Sequence, residues 1–403
     1  MRFVKSLLLL FIFSFVIPHF SIVQAQETFG GDYMLVQYIL EDYGYREVMH
    51  FELFADGDTS GTYKQLYSEQ PDSGTFYYFV QEDRSFIIPE EDGIIYGIGD
   101  DQGDVFTFVR ADSEFAMFAV GIRKSSGKTV ADLSGDYWVS EFITEPDFQA
   151  AGLGYVTFDG SGYATLYRIE NTVGDVDSVE FPYAVGDDGT VVFDNFLVGA
   201  LSPDGQYLVA AGSEIEDNGS TYVMAVKKSS GLENSVLSGN YIYNQVRTET
   251  GGFSEENVFY AGLNYDGEGS AEATMFLGEP LSETFSYEIL NEGNIEIDSS
   301  LGAVSADGRY YFSIDMGDTT GVAFGMGIQS AGNPAGFGSD HVGSMPSSFT
   351  LEQNYPNPFN PVTVIGYRLS AVSDVELSVY NLLGQKLVTL VSKKQSAGVY
   401  QVE

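Results

Sequence analysis

Apolar and polar positions alternate through most of the chain. Val179, Phe181, Tyr183 and Val185 are separated by Glu180, Pro182 and Ala184. A period of two places one side-chain set on each face of a strand, so this stretch reads as a half-buried β-strand. Clusters of Gly, Asp, Asn and Ser interrupt the pattern at intervals suited to hairpins. Asp-Gly stands between apolar runs at Asp159-Gly160, Asp188-Gly189, Asp204-Gly205, Asp266-Gly267 and Asp307-Gly308. That dipeptide suits the positive φ angles of a tight two-residue turn. Tyr, Phe, Val, Thr and Ile fit pleated surfaces. No stretch beyond the N-terminal leader carries a helical period. For the middle of the chain the pattern predicts eight strands, near 137–144, 155–158, 163–169, 178–185, 190–194, 198–201, 207–211 and 222–228.

The same pattern occurs three times. Gly31-Asp32-Tyr33, Gly135-Asp136-Tyr137 and Gly239-Asn240-Tyr241 recur at a spacing of 104 residues. Phe181, Tyr183 and Val185 are answered by Phe285, Tyr287 and Ile289. Gly199-Ala200-Leu201-Ser202-Pro203-Asp204-Gly205 is answered by Gly302-Ala303-Val304-Ser305-Ala306-Asp307-Gly308. The units close on related phrases at Val120–Gly127, Ala225–Gly231 and Gly327–Gly332. A repeat of this length is long enough to be a domain.

Eight strands in meander order suggest a small closed barrel, which removes the exposed edges that an aromatic-rich chain would otherwise offer for aggregation. The expected fold is all-β: three tandem antiparallel β-barrel modules, at 26–128, 129–232 and 233–332, arranged like beads. The alternative is a six-bladed β-propeller over residues 26–332, with two four-stranded blades per unit. Ser202-Pro203-Asp204-Gly205 resembles a propeller turn. The full phrase occurs only once, and the Asp-Gly spacing is uneven.

Arg2 and Lys5 precede an apolar run from Leu7 to Ile17, then Pro18 and Val23-Gln24-Ala25. This is the layout of a secretory signal peptide, residues 1–25, cleaved after Ala25. The run is too short for a membrane span, which needs about 20 residues, and no later segment is predicted to be transmembrane. The chain holds 58 acidic and 18 basic residues, for a formal charge of −40. Such a balance excludes nucleic acid as a partner, because phosphate requires a basic face. It also opposes docking on an anionic membrane. With no Cys, disulfides, thiolate metal sites, a thiol nucleophile and a lipoprotein anchor are excluded.

Residues 333–348 are rich in Gly, Ser, Ala and Pro and read as a linker. Charge breaks here: residues 26–345 hold 54 acidic and 12 basic side chains, whereas 346–403 hold four of each. The tail carries Tyr355-Pro356-Asn357-Pro358-Phe359-Asn360-Pro361, then Val379-Tyr380-Asn381-Leu382-Leu383-Gly384, then Ala397-Gly398-Val399-Tyr400. In this order these strings resemble the C-terminal sorting domain of the type IX secretion system. The resemblance covers residues 349–403. It implies a small immunoglobulin-like β-sandwich, a partnership with the type IX machinery, and release or attachment at the outer cell surface. Tyr355 to Pro361 and Gly384 are the positions that carry the sorting motif. The family's domain normally continues past this point, so the resemblance implies an incomplete copy ending mid-strand at Gln401-Val402-Glu403.

Candidate chemistry is sparse. Of three His residues only His50 lies in a module, so no Ser-His-Asp triad can be assembled. Glu90-Glu91-Asp92 and the Asp-Gly turns offer carboxylate pairs of the glycosidase kind, but 58 acids produce such pairs by chance. Asp56-Gly57-Asp58 and Asp100-Asp101-Gln102-Gly103-Asp104 offer hard oxygens for calcium, without the spaced ligand pattern of a calcium loop. Hairpin-turn chemistry accounts for them better. No catalytic, cofactor or metal residue is assigned. Exposed Tyr and Trp138 could stack on sugars, although aromatics more commonly fill cores. The sequence therefore points to a secreted or cell-surface, non-enzymatic repeat protein that binds an unidentified extracellular ligand or acts as an adhesion or scaffold module. Two alternatives are barrels that hold a small apolar ligand and a secreted polysaccharide hydrolase. An open interior with a few inward polar groups favours the first alternative, and a polar cleft with paired carboxylates favours the second.

Overall fold

The computed structural model describes residues 29–402, leaving out 42–45, 58–59, 69–70, 82, 91–92, 112–114, 146–147, 172–177, 215–218, 250–257, 277–281, 291, 317–320, 333–349, 352–364, 370–372, 381–385 and 396–397. The signal peptide and linker therefore lie outside the described residues, as do Tyr355, Pro356, Asn357, Pro358, Phe359, Asn360, Pro361 and Gly384 of the sorting motif.

Module 2 is a closed eight-stranded meander barrel: β10 (Ser134–Glu145), β11 (Phe148–Asp159), β12 (Tyr163–Asn171), β13 (Val179–Val185), β14 (Thr190–Phe193), β15 (Leu197–Leu201), β16 (Tyr207–Glu214) and β17 (Gly219–Lys227), with β17 returning to pair β10. Every strand expected for this unit is present. The main difference is β11, which begins at Phe148 and not at Tyr155. Its Ala150, Ala151, Gly152 and Gly154 read as loop by composition, yet all four are buried against the long partner β10.

Module 3 closes in the same way from β18 (Ser238–Glu249), β19 (Val258–Asp266), β20 (Ser270–Met275), β21 (Ser282–Ile289), β22 (Asn294–Ile297), β23 (Ser300–Val304), β24 (Tyr310–Asp315) and β25 (Gly321–Gln329). Module 1 comprises β1 (Gly30–Glu41), β2 (Arg46–Asp56), β3 (Ser60–Leu66), β4 (Ser73–Tyr77), β5 (Phe79–Val80), β6 (Ser85–Pro89), β7 (Ile94–Gly99), β8 (Val105–Ala111) and β9 (Phe115–Arg123). It is an open nine-stranded sheet, a barrel with a broken seam. The strand corresponding to β13 is split into β4 and β5 at the buried Tyr78. Each sheet returns its last strand to its first or breaks at that one seam, so there are no four-stranded blades and the propeller alternative is excluded. The only helices among the described residues are two 3₁₀ turns, Val130–Asp132 and Asn234–Val236, each just before the first strand of a barrel.

The Asp-Gly turns differ from the two-residue type expected. In Ser202–Gly205 the Gly205 amide donates to the Ser202 carbonyl at 2.8 Å, with Gly205 at φ 71°. Only the glycine is left-handed; the aspartate is not. These are type I turns closed by a left-handed glycine. Two consecutive left-handed residues stand at Asp194-Asn195 (φ 48° and 55°), where the Phe196 amide donates to the Phe193 carbonyl at 2.9 Å and the strands pair again at Phe193 and Leu197.

The modules are not beads. Tyr38, Phe142 and Val246 occupy equivalent places on β1, β10 and β18, and each is in register with Phe118, Tyr222 or Phe324 on the closing strand. These six outward-facing side chains are at most 1% exposed. The five rings among them meet in one plug, with Phe142 and Phe324 centroids 4.6 Å apart, Tyr38 and Phe142 5.4 Å, Phe118 and Phe324 5.2 Å, and Tyr222 and Phe324 5.3 Å. The first and last strand of every module thus packs on both faces, one lining its own interior and the other the shared core. Polar bonds reinforce the seams: Tyr222 Oη donates to the Val36 carbonyl (3.0 Å), Asn244 Nδ2 to Thr107 (3.1 Å) and Trp138 Nε1 to Glu292 (2.7 Å).

Residues 350–402 form a separate unit of two small antiparallel sheets. One orders β26 (Thr350–Leu351), β27 (Ile365–Leu369) and β30 (Gly398–Val402); the other pairs β28 (Ser373–Tyr380) with β29 (Lys386–Gln395). They meet through Tyr367 packed with Val375, Leu377 and Val391.

Candidate functional site

The three interiors are built to one register but filled differently. In module 1, Phe106 lies opposite Gly121, and a Cβ at Gly121 would sit 2.1 Å from the end of that ring. In module 3 the equivalent pair is Tyr311 and Gly327, with a Cβ again 2.1 Å from the ring. Tyr243 stacks on Tyr311 at 5.8 Å between centroids and shares a 2.7 Å hydrogen bond with Ser313. Gly325 leaves room for the Tyr243 phenol, because a Cβ there would be 2.5 Å from its oxygen. Absence of a Cβ on the closing strand thus admits a large ring from across the barrel.

Module 2 lacks this arrangement. Where module 3 has Tyr243, Tyr311, Gly325 and Gly327, module 2 has Val139, Leu208, Val223 and Ala225. The result is a cavity of about 460 Å³ in module 2, against about 20 Å³ in module 1. Its walls are Val139, Val156, Phe158, Leu166, Phe181, Phe193, Leu208, Val223 and Ala225, with Val179, Phe196 and Leu197 at a wetter rim. Glu141 on β10 and Asp194 in the β14–β15 turn are its two charged lining residues among those described. One barrel end is sealed, because Tyr183 Oη donates to the Leu133 carbonyl (2.7 Å) and Tyr137 Oη to Gly205 (2.6 Å). Toward the other, Val179 is 45% exposed. An apolar space of this size matches the usual small-molecule pocket. Among its described lining residues there is no ladder of hydroxyls or amides for a sugar chain.

The remaining sequence candidates sort by geometry. His50 is buried and its Nε2 lies 2.9 Å from the Val198 carbonyl of module 2. Burial pushes its pKa below the ordinary value, partly offset by backbone carbonyls, so it is a neutral seam residue. The Asp-Gly carboxylates largely bind their own turns. The Ser161 hydroxyl donates to Asp159 Oδ2 at 2.6 Å and the Ser161, Gly162 and Tyr163 amides donate to its Oδ1 at 2.7 to 3.0 Å, which together hold it down at about 2. Asp266 repeats the amide bonds. Asp58, Glu91 and Asp92 lie outside the described residues. Among the described residues no group of three or more His, Cys, Asp or Glu is placed to hold a metal ion.

Two further polar features lie between modules. Arg309 joins Asp100 and Asp101 of module 1 (3.3 and 3.7 Å), Asp204 of module 2 (2.6 Å) and its own Asp307 (2.5 Å). Asp100 is pushed up to about 6, chiefly by burial and against the pull of the Val105 and Asp104 amides and Arg309. A wider groove of about 770 Å³ lies between modules 1 and 2, lined by Asp32, Glu52, Lys64, Arg123, Lys124 and Asp188. Several of its charges already pair, Lys124 Nζ with Glu52 at 2.7 Å and with Asp188 at 3.1 Å. Both features read as inter-module clamps, and the module 2 cavity is the stronger site. The reciprocal Gly-for-ring exchange that distinguishes it was visible in the aligned repeats as Gly121 and Gly327 against Ala225, but only the register gives that exchange a meaning.

Among the described residues no helix is long and apolar enough to cross a membrane. No family model and no curated protein matches the chain. Among solved structures it is similar to a variant of transferrin binding protein B from Haemophilus parasuis (9% identity, 75% of this chain and 76% of that one, TM-score 0.26). It is also similar to transferrin binding protein B from Neisseria meningitidis (9%, 70% and 66%, TM-score 0.24) and kievitone hydratase from Nectria haematococca (7%, 77% and 93%, TM-score 0.19). Scores this low align no common site and assign no activity.

Proposed function

We propose that this is an exported, non-enzymatic binding protein whose second barrel holds a small apolar molecule, with modules 1 and 3 as filled structural copies. The observation that carries this is the contrast between interiors of one register, hollow in module 2 and ring-filled in its siblings. A packed protein interior rarely leaves so large a void, and the sibling modules demonstrate residue sets that fill it. The apolar lining argues against the polysaccharide-hydrolase alternative. The unlike interiors argue against three copies of one adhesive site. Export is supported by the leader at residues 1–25, and delivery to the outer surface by the type IX sorting strings at 355–361 and 379–384.

The test titrates the full chain with N-phenyl-1-naphthylamine, whose emission rises in apolar surroundings. Saturable binding at one site per chain is expected. Val139→Tyr with Ala210→Ser and Val223→Gly reproduces the Tyr243, Ser313 and Gly325 set of module 3, so it is expected to fold and to lose binding at least tenfold. A wild type that binds no probe, or a folded triple variant that binds equally well, overturns the reading. Separately, removal of residues 349–403 in a host with the type IX route should retain the protein inside the outer membrane; normal release would refute the sorting role.

A further inference from the structure

Resting on that reading, we propose that the occupant of module 2 is a neutral aromatic molecule of two rings, held where the sibling modules carry two rings of their own. Both siblings place a near-parallel pair of rings in their interior, and they do so with different residues. In module 1 the pair is Phe106 and Phe108, 6.1 Å between centroids and 12° between planes. In module 3 it is Tyr311 and Tyr243, 5.8 Å and 2°. Tyr311 is the counterpart of Phe106, each opposite a glycine of the closing strand. The second ring comes from β8 in module 1 and from β18 in module 3. Its place is nonetheless shared, because the Tyr243 hydroxyl bonds to that of Ser313, the counterpart of Phe108. At the same register positions module 2 carries Leu208, Ala210 and Val139. Two different residue sets thus arrive at one filling, a ring pair, and the hollow copy lacks both members.

The wall that receives the pair is kept. Tyr33 meets Phe106 edge to face at 5.2 Å and 65°, and Tyr241 meets Tyr311 at 6.0 Å and 62°. Module 2 retains this tyrosine as Tyr137, in the same core cluster as Leu208. Phe158, which lines the cavity, stands against Tyr137 at 5.4 Å and 88°. Tyr265 stands against Tyr241 in module 3 in nearly the same way, at 5.2 Å and 81°. Edge-to-face contacts favour a ring over a saturated group beyond the apolar area alone. The polar fittings of the module 3 pair are absent. Ser313 and Tyr265 have Ala210 and Phe158 as their counterparts, so neither place offers a hydroxyl. A buried hydroxyl without a partner is costly. The rings of the occupant therefore lie deep, and any polar substituent belongs at the wetter rim.

The experiment titrates the full chain calorimetrically with 2-naphthol and with decahydro-2-naphthol, the saturated molecule on the same carbon skeleton. Both are neutral at neutral pH, and each can leave its one hydroxyl at the rim. The aromatic alcohol is expected to bind about tenfold more tightly, as for two edge-to-face contacts. Leu208→Phe with Ala225→Gly installs the Phe106 and Gly121 pair of module 1 and so returns one ring. That variant should lose 2-naphthol by about tenfold or more, while phenol, with one ring, should bind it at least as tightly as it binds wild type. Decahydro-2-naphthol binding as tightly as 2-naphthol overturns the proposal, as does a folded double variant that holds 2-naphthol like wild type. The comparison of the two alcohols on wild type decides the matter alone if the double variant does not fold. Either refutation leaves the apolar-cavity reading standing, as does binding of N-phenyl-1-naphthylamine without binding of either alcohol, which also overturns the proposal. If neither that probe nor either alcohol binds, both readings fall together.

Discussion

Arg309→Ala tests whether the three modules form one cooperative body. The Arg309 side chain is 19% exposed and touches carboxylates from all three modules. Its pairs with Asp307 and Asp101, whose side chains are 45% and 54% exposed, are worth at most about 1 kcal/mol each in that setting. Asp100 decides the size of the effect, because its side chain is only 1% exposed. Removing one partner of a buried pair costs about 3–5 kcal/mol. Asp100 keeps amide donors from Asp104 (2.7 Å) and Val105 (3.3 Å), which lowers that figure. The net expectation is about 3 kcal/mol at pH 7.5. Urea unfolding followed by Trp138 emission reads it, since this single tryptophan is bonded across the seam between modules 2 and 3. Asp100 has its folded pKa near 6, and losing Arg309 raises it further. A protonated Asp100 needs no partner, so the penalty should shrink at pH 5. Asp100→Asn in the Arg309→Ala background should recover about half of it, because the uncompensated charge is gone. A penalty under about 1 kcal/mol, or one that grows on acidification, would refute the argument.

Other outcomes follow from the same packing. Phe324→Ala opens the shared plug and should cost about 3–5 kcal/mol, lowering one common urea transition; separate transitions for the modules would count against a single core. Gly121→Ala drives a methyl into Phe106 and should cost about 1–3 kcal/mol, whereas Ala225→Val, facing the module 2 cavity, should cost less than about 1 kcal/mol in the same assay. His50 has a folded pKa below its unfolded value near 6.5. The unfolded chain therefore binds the proton more readily, and the stability His50 contributes is present above about pH 6.5 and lost as pH falls toward the folded value. The gap in unfolding free energy between wild type and His50→Gln should narrow from pH 7.5 to 5; a constant gap would mean that His50 titrates normally. Asp100 acts in the opposite sense, since its raised pKa makes the folded state the better proton binder between about pH 4 and 6. Wild type alone should therefore show a shallow net dependence there.

The strands were legible from the chain alone because a period of two and a punctuating glycine are local facts. The eight strands of module 2 and the threefold repeat follow from them, and so does barrel closure, which satisfies edges that a meander leaves open. The shared core was not read, although its trace is present. Phe115–Ile122 and Val322–Ile328 are almost continuously apolar, the mark of a strand buried on both faces. What covers a second apolar face is a property of neighbours, not of the strand, and only the folded molecule brings Phe118, Tyr222 and Phe324 together. The cavity is decided at the same level. Val, Leu and Ala are ordinary core residues in any sequence, and whether they close a space depends on the ring across the barrel. Gly327 admits Tyr311; Ala225 faces Leu208 and Val139, neither of them a ring, and the interior stays open.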